Sequence, residues 1–105
     1  MNQIFIFRTN GFYLGFLQAG NLFSRDGVYL GWLEGVFIWD ASGQYRGQLV
    51  QIGGYYYILK NMYAVPPIPR VPRFATISPT LPPPPINGVP ISPPIGYKDG
   101  FENGY

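Results

Sequence analysis

The chain has 105 residues, 7 Lys+Arg against 5 Asp+Glu, and neither His nor Cys. This excludes an imidazole base, a thiolate nucleophile, a disulfide and the usual nitrogen and sulfur zinc ligands. Charged residues make up only 11%, against roughly 25% in an ordinary soluble domain, and the basic excess is one charge in residues 1–60 and one in residues 61–105, so a nucleic-acid partner is not expected.

The first segment, Ile4-Phe5-Ile6-Phe7-Arg8, reads as a short strand. It lacks a basic leader region and a small-residue cleavage site. After it, one pattern organises the chain. Asn10-Gly11, Asp26-Gly27 and Ser42-Gly43 recur every 16 residues. A tyrosine follows each glycine by two positions (Tyr13, Tyr29, Tyr45), a glycine by four (Gly15, Gly31, Gly47) and a leucine by six (Leu17, Leu33, Leu49). An aromatic residue precedes each turn glycine by four positions (Phe7, Phe23, Trp39), with Ile6, Leu22 or Ile38 just before it. After an insertion at Gly53-Gly54, a fourth copy has Tyr56, Tyr57, Asn61 and Tyr63 in the corresponding places.

Each copy predicts strand, two-residue turn, strand, since Asn-Gly and Asp-Gly suit the positive φ values of a type I′ turn. A helix is excluded, because each of the recurring glycines would cost ~1 kcal/mol in one. Strand alternation places Tyr, Gly and Leu of the repeat on one face. The opposite face carries Phe12, Leu14 and Phe16 in the first copy, Val28, Leu30 and Trp32 in the second, and Gln44, Arg46 and Gln48 in the third. Those six apolar residues form the candidate interface, because a two-sided apolar sheet calls for a cover. Phe7, Tyr13, Phe23, Tyr29, Trp39, Tyr45, Tyr57 and Tyr63 are candidates to fill a central hub, or else to line a shallow cup for a sugar, a lipid headgroup or another small ligand.

All twelve prolines lie between Pro66 and Pro94. The chain therefore divides into a four-hairpin β domain, residues 1–65, and a Pro-rich extended tail, residues 66–105. The tail favours polyproline II, and the apolar residues among its prolines (Ile68, Val71, Phe74, Ile77, Leu81, Ile86, Val89, Ile91, Ile95) favour packing on the head or on a neighbouring subunit. Pro66-x-x-Pro69 and Pro69-x-x-Pro72 match the minimal core of an SH3 ligand, although an arginine directly follows the second proline of each.

Three G-x-Y-x-G-x-L units and a divergent fourth copy, followed by a Pro-rich tail closing with Pro93-Pro94-Ile95-Gly96-Tyr97-Lys98-Asp99, resemble the bacterial 4-fold beta-flower family. The resemblance spans nearly the whole chain. It implies an all-β fold of four pseudo-symmetric antiparallel hairpins around a shared hub, no catalytic residues and no cofactor. Beta-flower folds are similar in shape to Tubby-like domains, which by analogy suggests a scaffolding or membrane-adjacent role. MORN and choline-binding repeats share part of the motif, but their periods are longer.

The carboxylates Asp26, Glu34 and Asp40 sit beside turns and need no catalytic explanation. The expected function is a non-catalytic structural or protein-interaction module that self-associates or binds another protein; the alternative is a small-ligand or membrane-headgroup binding module. No metal, cofactor or nucleic acid is expected. The default location is cytoplasmic, with a surface or secreted one left open.

Overall fold

A computed structural model describes residues 3–101. Eight strands follow in chain order: β1 Gln3–Phe7, β2 Tyr13–Gln18, β3 Asn21–Ser24, β4 Tyr29–Glu34, β5 Phe37–Asp40, β6 Tyr45–Ile52, β7 Tyr55–Asn61 and β8 Tyr97–Asp99. Each strand pairs antiparallel with its successor, and β1 also pairs with β7, closing a seven-stranded barrel. In an up-and-down order the first and seventh strands run the same way. The closing pair is accordingly parallel, with Ile6 opposite Tyr56 and Phe7 opposite Tyr57. Closure removes the open edges that a meander would leave to aggregate.

The repeat is built by a turn and a bulge. Arg8, Ser24 and Asp40 each accept a hydrogen bond from the turn glycine three residues on (2.8–2.9 Å) and donate one to the carbonyl of the residue after it (2.7–2.9 Å). The loops therefore hold three residues, and their glycines lie at φ +90°, +87° and +91°. Asn10, Asp26 and Ser42 keep negative φ, since Ala19 is the one non-glycine at positive φ among the described residues. This is a type I turn followed by a glycine bulge, which corrects the expected type I′ turn. The two-residue turns lie at the other junctions: Ala19-Gly20 and Gly53-Gly54 have both residues at positive φ, and Gly35-Val36 has the glycine first.

A second bulge follows in every copy. Ile6 faces Gly15 while Phe7 faces Tyr13, leaving Leu14 as the extra residue; Leu30 and Arg46 are its equivalents. The bulge breaks strict alternation. Tyr13 joins Phe7 on the outside, whereas Leu14 and Leu17 join Ile6 within, so the expectation that Tyr, Gly and Leu share one face is corrected. At Gly15 and Gly31 a Cβ would lie 2.0 and 1.8 Å from the carbonyl oxygens of Phe23 and Trp39. The glycine is there because the next strand's backbone occupies the space of a side chain.

The barrel interior is aliphatic. Ile6, Leu14, Leu17, Leu22, Leu30, Ile38 and Ile58 form it together with Phe101, which closes one end. Phe7, Phe23, Trp39 and Tyr57 alternate with these inward residues and lie on the outer face, where they are buried. The expected aromatic hub is thus inverted: branched aliphatic side chains pack the narrow middle, and the rings form a second layer outside.

The fourth copy does not turn back on itself. Residues 62–96 contain no strand, and β7's second antiparallel partner is β8, with Leu59 opposite Asp99 and Asn61 opposite Tyr97. Asn61 replaces the glycine that the three-residue loop requires at positive φ, and Pro66-Pro67 soon follows, unable to donate to a ladder. Tyr63, assigned a hub position by the repeat, is 80% exposed.

Candidate interaction surface

Residues 70–96 run around the outside of the barrel, meeting the hairpins in the order third, second, first, fourth. The Arg70 amide donates to Gly43 O at 2.8 Å and the Arg73 amide to Ala41 O at 3.1 Å. Asn21 exchanges hydrogen bonds with Thr76, its Nδ2 reaching Oγ1 at 2.8 Å. The Thr80 amide donates to Gln18 Oε1 at 3.1 Å, and its carbonyl accepts from Gln3 Nε2 at 2.6 Å. Gly88 donates to Gly11 O at 2.7 Å and Ile91 to Thr9 O at 2.8 Å, while the Tyr57 hydroxyl donates to Val89 O. Gln18 and Asn21, buried polar residues of β2 and β3, are thus satisfied by this belt, as buried amides require.

Beneath the belt lies the aromatic layer. The bulge register sets Phe7 against Tyr13, Phe23 against Tyr29 and Trp39 against Tyr45, with ring centroids 6.0, 6.1 and 5.5 Å apart. Trp32 stacks on Trp39 at 6.5 Å. Arg73 lies over Trp32 at 4.5 Å and Arg70 over Trp39 at 5.1 Å, and both arginines reach Glu34, at 3.6 and 3.0 Å respectively. Burial raises the hydroxyl pKa of Tyr29, Tyr45 and Tyr57; at Tyr29 the Arg73 charge works against it. At Asp40 burial also works to raise the carboxyl pKa, but hydrogen bonds from Ser42, Gln44 and Arg46 and the Arg46 charge outweigh it, leaving the carboxyl below its usual range.

Of the six candidate interface residues, Leu14 and Leu30 are inside the barrel and Phe16 and Trp32 are buried on its outer face; Phe12 and Val28, which sit in loops, are exposed. Of the eight candidate aromatics, Phe7, Tyr13, Phe23, Trp39 and Tyr57 are buried, Tyr29 and Tyr45 half-buried, and Tyr63 exposed. They do not converge on an open cup.

A regularly spaced row of exposed apolar residues lies in the chain between Val65 and Phe74. Val65, Ile68, Val71 and Phe74 are 92, 86, 81 and 91% exposed. Their spacing of three is the period of polyproline II. Pro66, Pro69 and Pro72 form a second exposed row, while Pro67, Arg70 and Arg73 form the row turned to the barrel. Of the two expected partners for these apolar residues, the head and a neighbouring subunit, the head does not cover Ile68, Val71, Phe74, Ile86 or Ile95, all exposed by more than four fifths. The signal was present as three apolar-Pro pairs three residues apart, Val65-Pro66, Ile68-Pro69 and Val71-Pro72.

A groove of about 350 Å³ opens elsewhere, between β1, the start of β7 and the belt, lined chiefly by Phe5, Phe7, Tyr55, Tyr56, Pro85 and Ile86. Among the described residues no cluster of metal-ligating side chains is found, and no helix is long and apolar enough to cross a membrane.

These features define a closed all-β barrel with a repeated turn-and-bulge hairpin. The family described as 4-fold beta flower protein matches residues 1–96, and the chain belongs to it. No curated protein and no solved structure matches the chain.

Proposed function

We propose that the chain is a non-catalytic interaction module that acts by self-association through the apolar side chains its belt turns outward. The observation carrying this reading is the row Val65, Ile68, Val71 and Phe74, each more than 80% exposed. Contiguous apolar surface of this kind marks an interface. The backbone beneath Val71 is pinned at Arg70 and Arg73, so little ordering entropy opposes docking. Three of the described carboxylates are engaged structurally: Glu34 holds two arginines, Asp40 caps a loop, and Asp99 accepts hydrogen bonds from the Thr9 and Phe101 amides. Sedimentation velocity across a concentration series tests the reading. The wild-type chain should associate and the double variant Ile68→Glu/Val71→Glu should stay monomeric; equal behaviour of the two would overturn it.

A further inference from the structure

Resting on the self-association reading, we infer that the occupant of the aromatic groove at Phe5, Phe7, Tyr55 and Tyr56 is the Val65–Phe74 row of a second copy of this chain. Extended proline-rich segments present side chains every third residue, ~9 Å apart at 3.1 Å per residue, and dock in grooves walled by aromatic rings. This chain carries both halves. The row offers three apolar-Pro pairs, and the groove is lined by Phe5, Phe7, Tyr55 and Tyr56, with Pro85 and Ile86 contributed by the belt.

The charges match, because neither side brings an ion into the contact. The groove lining contains no charged residue, its polar member being Gln3. The row's two arginines lie on the opposite side of the segment, against Trp39 and Trp32 and paired with Glu34. Docking therefore avoids the desolvation penalty that isolates buried charges. The groove cannot take its own chain's row, which is held on the third hairpin by the Arg70 and Arg73 amides; the groove lies at β1 and β7.

Row and groove are different patches, so the contact is heterologous and can continue from copy to copy as a ring or an open filament. A segment-in-groove contact falls short of the roughly 800 Å² a side of a standard interface, so assembly is expected to be transient and steeply concentration-dependent.

The test uses complementation between full-length variants. The row variant Ile68→Glu/Val71→Glu keeps its groove, and the groove variants Tyr55→Glu and Ile86→Glu keep their rows. Ile86 is 89% exposed, which makes Ile86→Glu the variant least able to disturb folding; circular dichroism checks all three. Each alone should be monomeric by sedimentation velocity, and an equimolar mixture of row and groove variants should form a heterodimer that grows no further. If the groove variants associate like wild type, or the mixture stays monomeric, the groove assignment is overturned while self-association stands. If wild type itself stays monomeric at the highest attainable concentration, both readings fall. A small apolar ligand that saturates the groove without displacing the row of a second copy would also overturn the assignment.

Discussion

The carbonyl oxygen of Arg70 sits 1.9 Å from where a Cβ on Gly43 would be, and the Arg70 amide donates to the Gly43 carbonyl at 2.8 Å. One glycine thus both turns the third hairpin and receives the belt. The first hairpin repeats the arrangement, with Gly88 donating to Gly11 and its carbonyl 2.7 Å from the Gly11 Cβ position. At the second, Leu81 and Pro79 approach Gly27.

Gly43→Ala should therefore cost more than a positive φ alone explains. Gly53 is the control, since it lies at φ +61° with nothing within 4 Å of its Cβ position. Gly53→Ala should lose about 1 kcal/mol, the usual strain of a left-handed residue. Gly43→Ala should lose that and also displace the belt, for a total of about 2–4 kcal/mol in urea denaturation. Because Arg70 and Arg73 cover Trp39 and Trp32, the only tryptophans in the chain, the displacement should change native-state fluorescence. Equal losses and unchanged fluorescence for the two variants would show that the belt does not depend on this contact.

Gly31→Ala tests the bulge. Its backbone is not at positive φ, yet a Cβ would lie 1.8 Å from the Trp39 carbonyl and 2.7 Å from Asp40 Cα. Backbone atoms of a paired strand cannot step aside as a side chain can. A loss of about 3 kcal/mol or more is expected, at the severe end for a single substitution. A loss under about 1 kcal/mol would mean that the bulge relaxes.

The 16-residue repeat made the strands, their antiparallel order and the turn positions legible, because each copy states the same local rule in three versions. The direction of the side chains was not legible. One bulge residue per copy, Leu14, Leu30 or Arg46, reverses the face of everything before it, and a bulge leaves no mark in an alternating pattern beyond a glycine with several possible meanings. The parallel β1–β7 closure was likewise hidden, since pairing between the two ends of a meander depends on barrel curvature and on no local motif. The belt's outward row is legible as a spacing of three, but its direction is not, because apolar character alone does not say which of three faces meets the barrel.

The Glu34 pairings with Arg70 and Arg73 should matter little for stability. Their side chains are 41, 51 and 53% exposed, and exposed pairs are typically worth 0–1 kcal/mol and are screened by salt. Glu34→Gln should lower stability by less than about 1 kcal/mol at low ionic strength, with the difference from wild type shrinking in high salt. A larger loss that persists in salt would mark Glu34 as structural through its contact with Trp32 Nε1 at 3.4 Å instead.

Asp40 supplies an acid-sensitive term. Its Oδ1 accepts hydrogen bonds from the Ser42 and Gln44 amides, both at 3.0 Å, and Oδ2 pairs with Arg46 at 3.4 Å. These hold its folded pKa below the ordinary value of an aspartate despite burial. A carboxyl with a depressed folded pKa contributes stability above its unfolded pKa, and that contribution is lost as pH falls through the folded value. Wild type should therefore lose stability on acidification below about pH 4 by more than Asp40→Asn does, and the two should converge in strong acid. Parallel stability profiles would remove Asp40 from the acid limb.

Phe101 carries the last prediction. It is 1% exposed within the aliphatic interior although it follows β8 at the far end of the belt, and Arg46 lies over its ring at 3.9 Å while donating from Nε to Gly100 O at 2.9 Å. Arg46 occupies the bulge position that Leu14 and Leu30 fill with apolar side chains. The third copy thus lacks an inward leucine at the bulge position, and Phe101 takes that space from the other end of the chain. Phe101→Ala should cost about 3–5 kcal/mol, the usual loss for a buried aromatic ring. Adding Arg46→Leu should recover part of it, because a leucine restores the interior contact of the other two copies and needs no ring to cover a guanidinium. If Arg46→Leu deepens the loss, Arg46 is held chiefly by Asp40 and Gly100, and the ring closes the barrel independently of the bulge.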